Sequence, residues 1–253
     1  MIARFIRSSI RIPGFLLMSL AYVVSLFIIR LIAGADRHKK HRLLLHYIRN
    51  VHRLMGIRVS VKGELPDEPS ILMGNHRSYV DAVMIPAKQP VVFVGRVESK
   101  SWPIIGWGAS LLGTIWVNRK DPSSRKQTRE SVKDRLRDGF GIVIFPEGTT
   151  HIGPDLLEYR PSMFYISAEG DFPITPIAIE YKDPNIAWVG QNKFVPHAWK
   201  HFGSRHIDVK VSYGPTMRNS DGGKLLETTR EWTEKEALQL RAEWDTLNRE
   251  EQK

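Results

Sequence analysis

The sequence predicts an α/β domain with a mostly parallel central sheet flanked by helices, preceded by an N-terminal membrane-associated two-helix segment. Three observations lead to this fold class. After residue 57, short strand-like apolar runs alternate with helical patterns. A long apolar run occupies the first quarter of the chain, and 253 residues suffice for one substantial core with an appendage. We therefore expect residues 1–57 to form membrane-anchoring helices and residues 58–253 to form the main domain.

The positive charge of the chain is concentrated near its N-terminus. Residues 1–62 contain 12 lysines and arginines and one acidic residue, Asp36, whereas residues 63–253 contain 25 basic and 26 acidic residues. A nucleic-acid-binding protein can also segregate charge in this way. Here, however, the basic residues flank a long apolar run, which favours anionic membrane lipids as the partner and argues against nucleic acid.

The apolar run covers residues 12–34 and is interrupted by one charge, Arg30. Its uncharged part, residues 13–29, is at the lower limit of length for crossing a bilayer. Because basic residues flank the run on both sides, a simple span would place one cluster on the wrong side of the membrane. We therefore expect a segment that dips into one leaflet and returns. A cleaved secretory signal is the alternative, since Ala33-Gly34-Ala35 resembles a cleavage site, but Arg30 interrupts the stretch just before it.

The next segment, residues 41–57, has apolar residues at helical spacing with arginines among them. This pattern predicts an amphipathic helix lying on the membrane surface. A helix packed against the core of the domain would show the same pattern, so that alternative stays open.

From residue 58 onward, strand-like and helical patterns alternate, which is typical of a domain with a largely parallel sheet. The predicted strands are residues 58–62, 71–73, 91–94, 114–117, 142–145, 174–180 and 206–212. The predicted helices are residues 80–85, 102–112, 122–137, 162–169 and 231–248. Asp121-Pro122 and Gly139 mark the start and the end of the third of these helices. Residues 183–205 are expected to form a long irregular insertion.

Two polar loops directly follow predicted strands. The first reads Asn75-His76-Arg77-Ser78-Tyr79-Val80-Asp81, and the second reads Phe145-Pro146-Glu147-Gly148-Thr149-Thr150. Proteins of the α/β class build their sites just past the carboxyl ends of strands, so we expect both loops to lie in the functional site.

The first loop supplies a histidine that can act as a general base. An imidazole titrates near pH ~6.5, and Asp81 can accept a hydrogen bond from the far ring nitrogen of His76. Ser78-x-x-Asp81 also has the form of a capping box, so a purely structural role for Asp81 is the alternative. The chain lacks cysteine, a G-x-S-x-G sequence and a glycine-rich phosphate loop. A covalent enzyme intermediate is therefore not expected, and direct attack by a substrate hydroxyl remains.

Four short segments, in order, resemble the motifs of the glycerolipid acyltransferases, the lysophosphatidate (1-acylglycerol-3-phosphate) acyltransferase family. They are Asn75-His76-x-x-x-x-Asp81, Gly113-Thr114-Ile115-Trp116-Val117-Asn118-Arg119, Phe145-Pro146-Glu147-Gly148-Thr149 and Ile174-Thr175-Pro176-Ile177. One H-x-x-x-x-D is a weak signal, but the ordered set is specific. The resemblance covers roughly residues 70–180 and extends to the membrane-bound N-terminal helices.

The resemblance implies an O-acyltransferase in which His76 and Asp81 are catalytic and no cofactor is needed beyond the acyl donor. It implies that His76 deprotonates the acceptor hydroxyl, which attacks the thioester of acyl-CoA or acyl carrier protein. The residues that it assigns to substrate binding are Arg96, Arg119, Glu147, Gly148, Thr149 and Arg160. Backbone N–H groups near Gly148, with a nearby cation, would stabilise the oxyanion. The alternatives are a structural hydrogen bond for Glu147 and a solvated strand end for Arg119 and for Arg96.

The chain departs from the family pattern at three positions. Thr150 stands where the third motif usually has an arginine, Asn118 where the second usually has an aspartate, and Arg160 where a lysine usually follows. The first departure removes a good phosphate ligand. We expect lysophosphatidate as the lysolipid acceptor, because the remaining motifs are intact. A lyso-ornithine lipid or another lysolipid without a terminal phosphate is the alternative.

The resemblance further implies phospholipid biosynthesis at the cytoplasmic face of the inner membrane. Three competing interpretations carry less support. The histidines at 197, 201 and 206 could be imagined as a metal cluster, but no acidic or cysteine partner accompanies them, so we expect no metal. A metallophosphoesterase would need further acidic and histidine ligands in order. A non-catalytic membrane-binding protein would not require the intact pair of His76 and Asp81.

Overall fold

The computed structural model describes residues 2–33, 36–85, 87–190 and 192–251. Within these residues, seven strands form one sheet in the order β1-β7-β6-β2-β5-β3-β4. The strands are β1 (Ile57–Lys62), β2 (Ile71–Gly74), β3 (Val91–Arg96), β4 (Ile115–Val117), β5 (Gly141–Ile144), β6 (Ile174–Tyr181) and β7 (Ile207–Tyr213). All neighbouring strands are parallel except β6 and β7, which are antiparallel. The predicted α/β fold class with a mostly parallel sheet is confirmed.

This topology brings the carboxyl ends of β2, β5, β3 and β4 to one edge of the sheet. Parallel neighbours end at the same edge, and each of these four strands is parallel to the next. Since β7 runs against β6, and β1 runs with β7, the strands β1 and β7 begin at that same edge. The loops that follow the four strands therefore lie side by side.

Seven helices surround the sheet in the described part of the chain. They are α1 (Ile2–Ala33), α2 (Arg37–Met55), α3 (Ile105–Leu112), α4 (Pro122–Arg137), α5 (Ser162–Gly170), α6 (Phe194–Phe202) and α7 (Gly222–Glu250). Short 3₁₀ turns cover Asp81–Val83, Val97–Ser101 and Pro184–Ile186. The predicted bounds of α4 match, because Asp121 caps its start by accepting the N–H of Ser123.

Four sequence predictions about helices need correction. The predicted helix at 80–85 is only the 3₁₀ turn Asp81–Val83, and α3 begins three residues later than predicted, after Ile104 with its positive φ of 65°. The helix α7, capped by Asp221, begins at Gly222, nine residues before its predicted start. The supposedly irregular stretch 183–205 contains α6, whose pattern was hidden because two of its buried positions are histidines, His197 and His201.

The N-terminal helices form an antiparallel pair on the domain. Tyr22 stacks on Tyr47 at 4.4 Å between ring centroids, and the hydroxyls of Ser19 and Tyr47 lie 2.8 Å apart. The apolar run is one continuous helix, α1, which the antiparallel helix α2 follows, and the expectation of a segment that dips into one leaflet and returns stays a prediction. A continuous helix keeps every backbone group paired, which a reversal inside an apolar run would not.

For α2, the alternative of a helix packed on the core is correct. Its apolar residues Val51 and Met55 are buried in the same cluster as residues of β7, while Arg42, Arg49 and Arg53 are exposed. Its apolar face is therefore already covered by protein. The division at residue 57 into an anchor and a main domain stays a prediction.

Candidate active site

The carboxyl edge of the sheet brings most of the predicted site residues together. His76 follows β2, and the loop with Glu147 and Gly148 follows β5. Arg96 ends β3, and Arg119 lies two residues beyond β4. These strands are neighbours in the sheet, so residues that are distant in sequence lie at one edge of it.

His76 is held in a defined orientation by two contacts. Its Nδ1 lies 2.8 Å from Oδ2 of Asp81, and its ring stacks on Phe145 at 4.1 Å between centroids with an interplanar angle of 8°. The side chain of His76 is 23% exposed, whereas that of Asp81 is fully buried. Nε2 makes no hydrogen bond to any described residue, which leaves this nitrogen available to a substrate.

Asp81 accepts three further hydrogen bonds besides the contact with His76. The backbone N–H groups of Arg77 and Ser78 donate to Oδ2 at 2.6 and 2.9 Å, and the hydroxyl of Tyr181 donates to Oδ1 at 2.6 Å. Half of the predicted capping box is therefore present, since Asp81 binds the N–H of Ser78. The same carboxylate also orients His76, so Asp81 both caps the turn and positions the histidine.

Tyr181 is a site residue that the sequence did not reveal. It ends the buried strand β6, one hundred positions beyond Asp81, where it reads as an ordinary core aromatic. Burial, with the neighbouring Asp81 as a second cause, raises the pKa of Tyr181 well above its ordinary value. The phenol therefore stays protonated and donates to the carboxylate at any working pH.

We expect Tyr181→Phe to lower kcat about 3- to 10-fold while leaving KM almost unchanged. The substitution removes one hydrogen bond to a charged group, of the order of 1.5 kcal/mol, and loosens the orientation of Asp81 and His76 without touching substrate. Steady-state kinetics on both proteins provide the test. Tyr213→Phe, on the adjacent strand β7, is the matched control for a buried tyrosine. An equal loss in both variants would contradict the positioning role.

Glu147 fixes the backbone beneath His76. Its buried carboxylate accepts the N–H of His76 on Oε1 at 2.9 Å and the N–H of Leu157 on Oε2 at 3.3 Å. Burial raises the pKa of Glu147, and these backbone donors and the nearby Arg77 oppose that rise. Both oxygens are thus engaged by protein. The N–H of Gly148 is engaged as well, since it donates to the carbonyl of Phe145 at 3.0 Å.

Three arginines form a cationic cluster, which consists of Arg96, Arg119 and Arg160. Arg119 donates to the carbonyl oxygen of Gly148, and Arg160 lies so close that a Cβ added at Gly148 would stand 2.6 Å from its Nε. Burial lowers the pKa of Arg119, and the charges of Arg160 and then Arg96 lower it further. Mutual repulsion of this kind marks a site that an anion would stabilise.

The other two members of the cluster are more exposed. Arg96 pairs with Glu98 at 3.4 Å, with both side chains more than half exposed. The side chain of Thr149 is exposed beside the cluster, whereas the hydroxyl of Thr150 donates to the carbonyl of Trp188. Thr150 is therefore committed to the chain around Trp188, and no charge replaces the arginine that this position usually has.

Arg77 is a second residue whose role the sequence did not reveal. Its side chain is 1% exposed and binds Oε2 of Glu180 at 3.1 Å, while Arg241 of α7 binds the other oxygen of Glu180. Its guanidinium also donates to the carbonyl of Pro154 at 3.0 Å. A charged residue directly beside His76 was the available signal. This buried network ties the first loop to the loop that follows Thr150.

A buried carboxylate that orients a histidine, beside a cationic cluster at the carboxyl edge of a mostly parallel sheet, is the arrangement expected for acyl transfer to a hydroxyl. Comparison with known proteins agrees. The acyltransferase family model matches residues 56–180. The chain is also 32% identical, over 72% of its length and 69% of the relative, to the lyso-ornithine lipid O-acyltransferase of Rhizobium meliloti. The protein belongs to the acyltransferase family and is an acyltransferase.

Two further similarities extend this result. The 1-acyl-sn-glycerol-3-phosphate acyltransferase of Neisseria meningitidis is 26% identical over 73% of this chain and 75% of its own. In fold, the chain resembles the 1-acyl-sn-glycerophosphate acyltransferase PlsC of Thermotoga maritima, with a TM-score of 0.63 at 18% identity over 92% of this chain and 98% of the other. The resemblance to the lysophosphatidate acyltransferase family is confirmed.

Proposed function

We propose that the protein moves a fatty acyl group directly from a thioester donor to the hydroxyl of a lysolipid, with His76 as the general base. The observation that carries this proposal is the bond between Nδ1 of His76 and buried Asp81, which leaves Nε2 without a hydrogen-bond partner among the described residues. Nε2 takes the proton of the acceptor hydroxyl while the hydroxyl oxygen attacks the thioester carbon. The tetrahedral intermediate then collapses, the C–S bond breaks, and the thiolate receives that proton from the imidazolium.

The cationic cluster supplies positive charge to this reaction. Because the N–H of Gly148 already serves the carbonyl of Phe145, the arginines are better placed than that N–H to meet the developing oxyanion or the anionic head group. The donor is acyl-CoA or acyl carrier protein. Both are anionic, and a cluster of arginines attracts either.

We propose a lyso-ornithine lipid as the acceptor and lysophosphatidate as the competing candidate. Two observations favour the first. Thr150 replaces the usual phosphate-binding arginine and is engaged with Trp188, and lyso-ornithine lipid O-acyltransferases from Rhizobium meliloti, Pseudomonas aeruginosa and Rhodobacter capsulatus are among the relatives. An ornithine head group offers one carboxylate, which the cationic cluster can bind. The cationic cluster can also bind a phosphate, so lysophosphatidate remains the competing acceptor.

We expect wild-type protein, offered a panel of lyso-ornithine lipid, lysophosphatidate and lysophosphatidylcholine with one labelled donor, to use lyso-ornithine lipid fastest. Arg160→Ala should raise KM for the carboxylate acceptor about 10- to 100-fold, because a hydrogen bond to a charged group contributes about 1.5–3 kcal/mol. Thr150→Arg should shift preference toward lysophosphatidate, and Thr150→Val, which loses the hydroxyl without gaining charge, is its control. A protein inert on lyso-ornithine lipid but active on lysophosphatidate would reverse the choice of acceptor and leave the acyl transfer intact.

We also propose that the enzyme works at the cytoplasmic face of the inner membrane, held there by α1 from one side. By length and composition α1 is apolar enough to cross a membrane. However, Arg7 and Arg11, near its beginning, donate to carbonyls of residues 202–204 at the carboxyl edge of the sheet. Val23, further along, contacts the surface of α3 at Gly108. A helix that lies along the domain over this length is positioned to enter one leaflet.

We expect cysteines placed at Ser9 and at Arg42, on opposite flanks of the apolar run, to react with a membrane-impermeant thiol reagent from the cytoplasmic side only. The chain has no native cysteine, so each label reports one site. Inside-out and right-side-out vesicles give the two orientations. Labelling of position 9 from the opposite side would establish a true span instead.

A further inference from the structure

A second cationic cavity, the amino-edge cavity, lies at the edge of the sheet opposite to the active site. Its volume is about 140 Å³, and its walls include Arg37 and Lys40 of α2 and Arg135 of α4. Pro90 and Phe140, which directly precede the parallel strands β3 and β5, also line it. The six residues of β3, at about 3.3 Å each, separate this edge from the catalytic edge by about 20 Å. The cavity is therefore distinct from the catalytic site.

The three basic side chains of the amino-edge cavity contact protein only through neutral groups. Arg37 donates to the carbonyl oxygen of Asp138, and Lys40 donates to that of Leu111 at 3.4 Å. Arg135 has no hydrogen-bond acceptor among the described residues, and none of their carboxylates forms an ion pair with any of the three. All three side chains are half-buried, so they reach solvent and can meet a ligand.

The acidic residues nearest in sequence do not neutralise this cavity. Asp36 caps α2 and pairs with Lys39 at 3.8 Å, and Asp134 pairs with Arg137 at 3.6 Å. Asp138 meets the cavity through its carbonyl, while its exposed carboxylate forms no ion pair with a described residue. The positive charge of the cavity is therefore left without a counter-charge from the described part of the chain.

The fold holds these like charges close together. The guanidinium carbons of Arg37 and Arg135 each lie 5.5 Å from the centroid of the Phe140 ring, which attracts both cations. Burial lowers the pKa of Lys40, and the charges of Arg30 and Arg135 lower it further. Because the cations repel one another in a cavity that is already formed, a bound anion would stabilise this arrangement.

His41 adds an unpaired polar atom to the cavity wall. This residue is 8% exposed, and burial lowers its pKa, which keeps the ring neutral. Its Nε2 lies 3.1 Å from the carbonyl oxygen of Ala87. Because a carbonyl only accepts, Nε2 carries the hydrogen and Nδ1 is an acceptor. Nδ1 is buried and has no partner among the described residues, so a hydroxyl of a ligand would satisfy it.

We propose that the amino-edge cavity binds a phosphomonoester, either as the head group of a lipid or as a small soluble molecule. A phosphomonoester carries a charge of about −1.5 to −2 at pH 7, which matches three converging cations better than the single charge of a carboxylate. The two guanidinium groups are suited to phosphate oxygens, and Nδ1 of His41 accepts a hydroxyl on the phosphate or beside it. Leu44, Val92 and Leu112 in the cavity wall contact the carbon chain that carries the phosphate.

The test measures binding of inorganic phosphate to the full chain in detergent, by equilibrium dialysis at constant ionic strength. The double variant Arg119→Ala/Arg160→Ala serves as the background, so that phosphate held by the active-site arginines does not contribute. We expect this background to bind one phosphate per chain. Addition of Arg135→Gln should weaken binding about tenfold or more, because it removes a charge-assisted contact. Addition of Arg129→Gln, an exposed arginine of the same helix, is the matched control and should change nothing.

Lys40→Gln in the same background should weaken binding as Arg135→Gln does, and it keeps the test decisive if Arg135→Gln fails to fold by circular dichroism. Displacement of phosphate by dioctanoyl phosphatidate at much lower concentration than by glycerol phosphate would identify a lipid head group as the ligand, and equal displacement a soluble phosphomonoester. A background that binds no phosphate, or equal binding after Arg135→Gln and Arg129→Gln, would overturn the proposal. So would displacement by acetate as readily as by glycerol phosphate. These measurements need no turnover, so they decide the site even if the proposed function fails.

Discussion

His76→Ala is expected to lower kcat about 10²- to 10⁴-fold while the protein remains folded. A general base contributes about this much. No other described histidine pairs one ring nitrogen with a buried carboxylate while its other ring nitrogen stays free for a substrate. Acyl transfer to the preferred lysolipid is the measurement, with circular dichroism as the check on folding. The matched control is His151→Ala, because His151 is a neighbouring histidine that pairs only with exposed Asp155.

Asp81→Asn should give a large but smaller loss in the same assay. The amide keeps the shape of the carboxylate, but its NH₂ group replaces one oxygen and cannot accept. Either the N–H groups of Arg77 and Ser78, which bind Oδ2, or the hydroxyl of Tyr181, which binds Oδ1, therefore loses its acceptor. The loop would therefore hold His76 in a less defined orientation. Retention of more than about a tenth of wild-type kcat by His76→Ala would show that another group is the base.

Arg77→Met is expected to lower the free energy of unfolding by about 3 kcal/mol, because it removes one of the two arginines that pair with a buried carboxylate and leaves Arg241 as its only ionic partner among the described residues. The charge left behind is that of Glu180, which is 1% exposed. Burial already raises the pKa of Glu180, and Arg77 and Arg241 oppose that rise. A loss of this size is a large part of a typical domain's stability of about 5–15 kcal/mol. Urea denaturation measures it directly.

The matched control for Arg77 is Lys133→Met. Lys133 pairs with Glu169 at 3.0 Å, but Glu169 is 66% exposed, so this ion pair should contribute only about 0–1 kcal/mol. Equal urea midpoints for Arg77→Met and wild type would mean that the buried network of Arg77, Glu180 and Arg241 does not stabilise the fold. The activity of the folded Arg77→Met variant would then report separately on the two loops that Arg77 joins.

The sequence predicted much of the fold because its signals are local. The alternation of short apolar runs with helical patterns predicted every strand of the described sheet to within one or two residues at either end. The start of α4 followed from Asp121 and Pro122, which act within one turn. The helix α6 was not predicted, because histidines count as polar in a hydrophobic pattern, whereas His197 and His201 are buried in this helix. Packing against other parts of the chain, and not periodicity, makes that segment helical.

The sequence by itself determined the α/β class, the pairing of His76 with Asp81, and the departure at Thr150. Each of these rests on local patterns: single strand and helix patterns for the class, a spacing of five positions for His76 and Asp81, and one motif for Thr150. Only the tertiary structure decided that Tyr181 supports Asp81 and that Glu147 holds the backbone of His76. It also decided that the apolar face of α2 is buried, whereas most of the apolar side chains of α1 are exposed. Contacts of this kind depend on the order of strands in the sheet and on which helix face finds a partner. Hydrophobic periodicity marks an apolar face but does not specify what covers it.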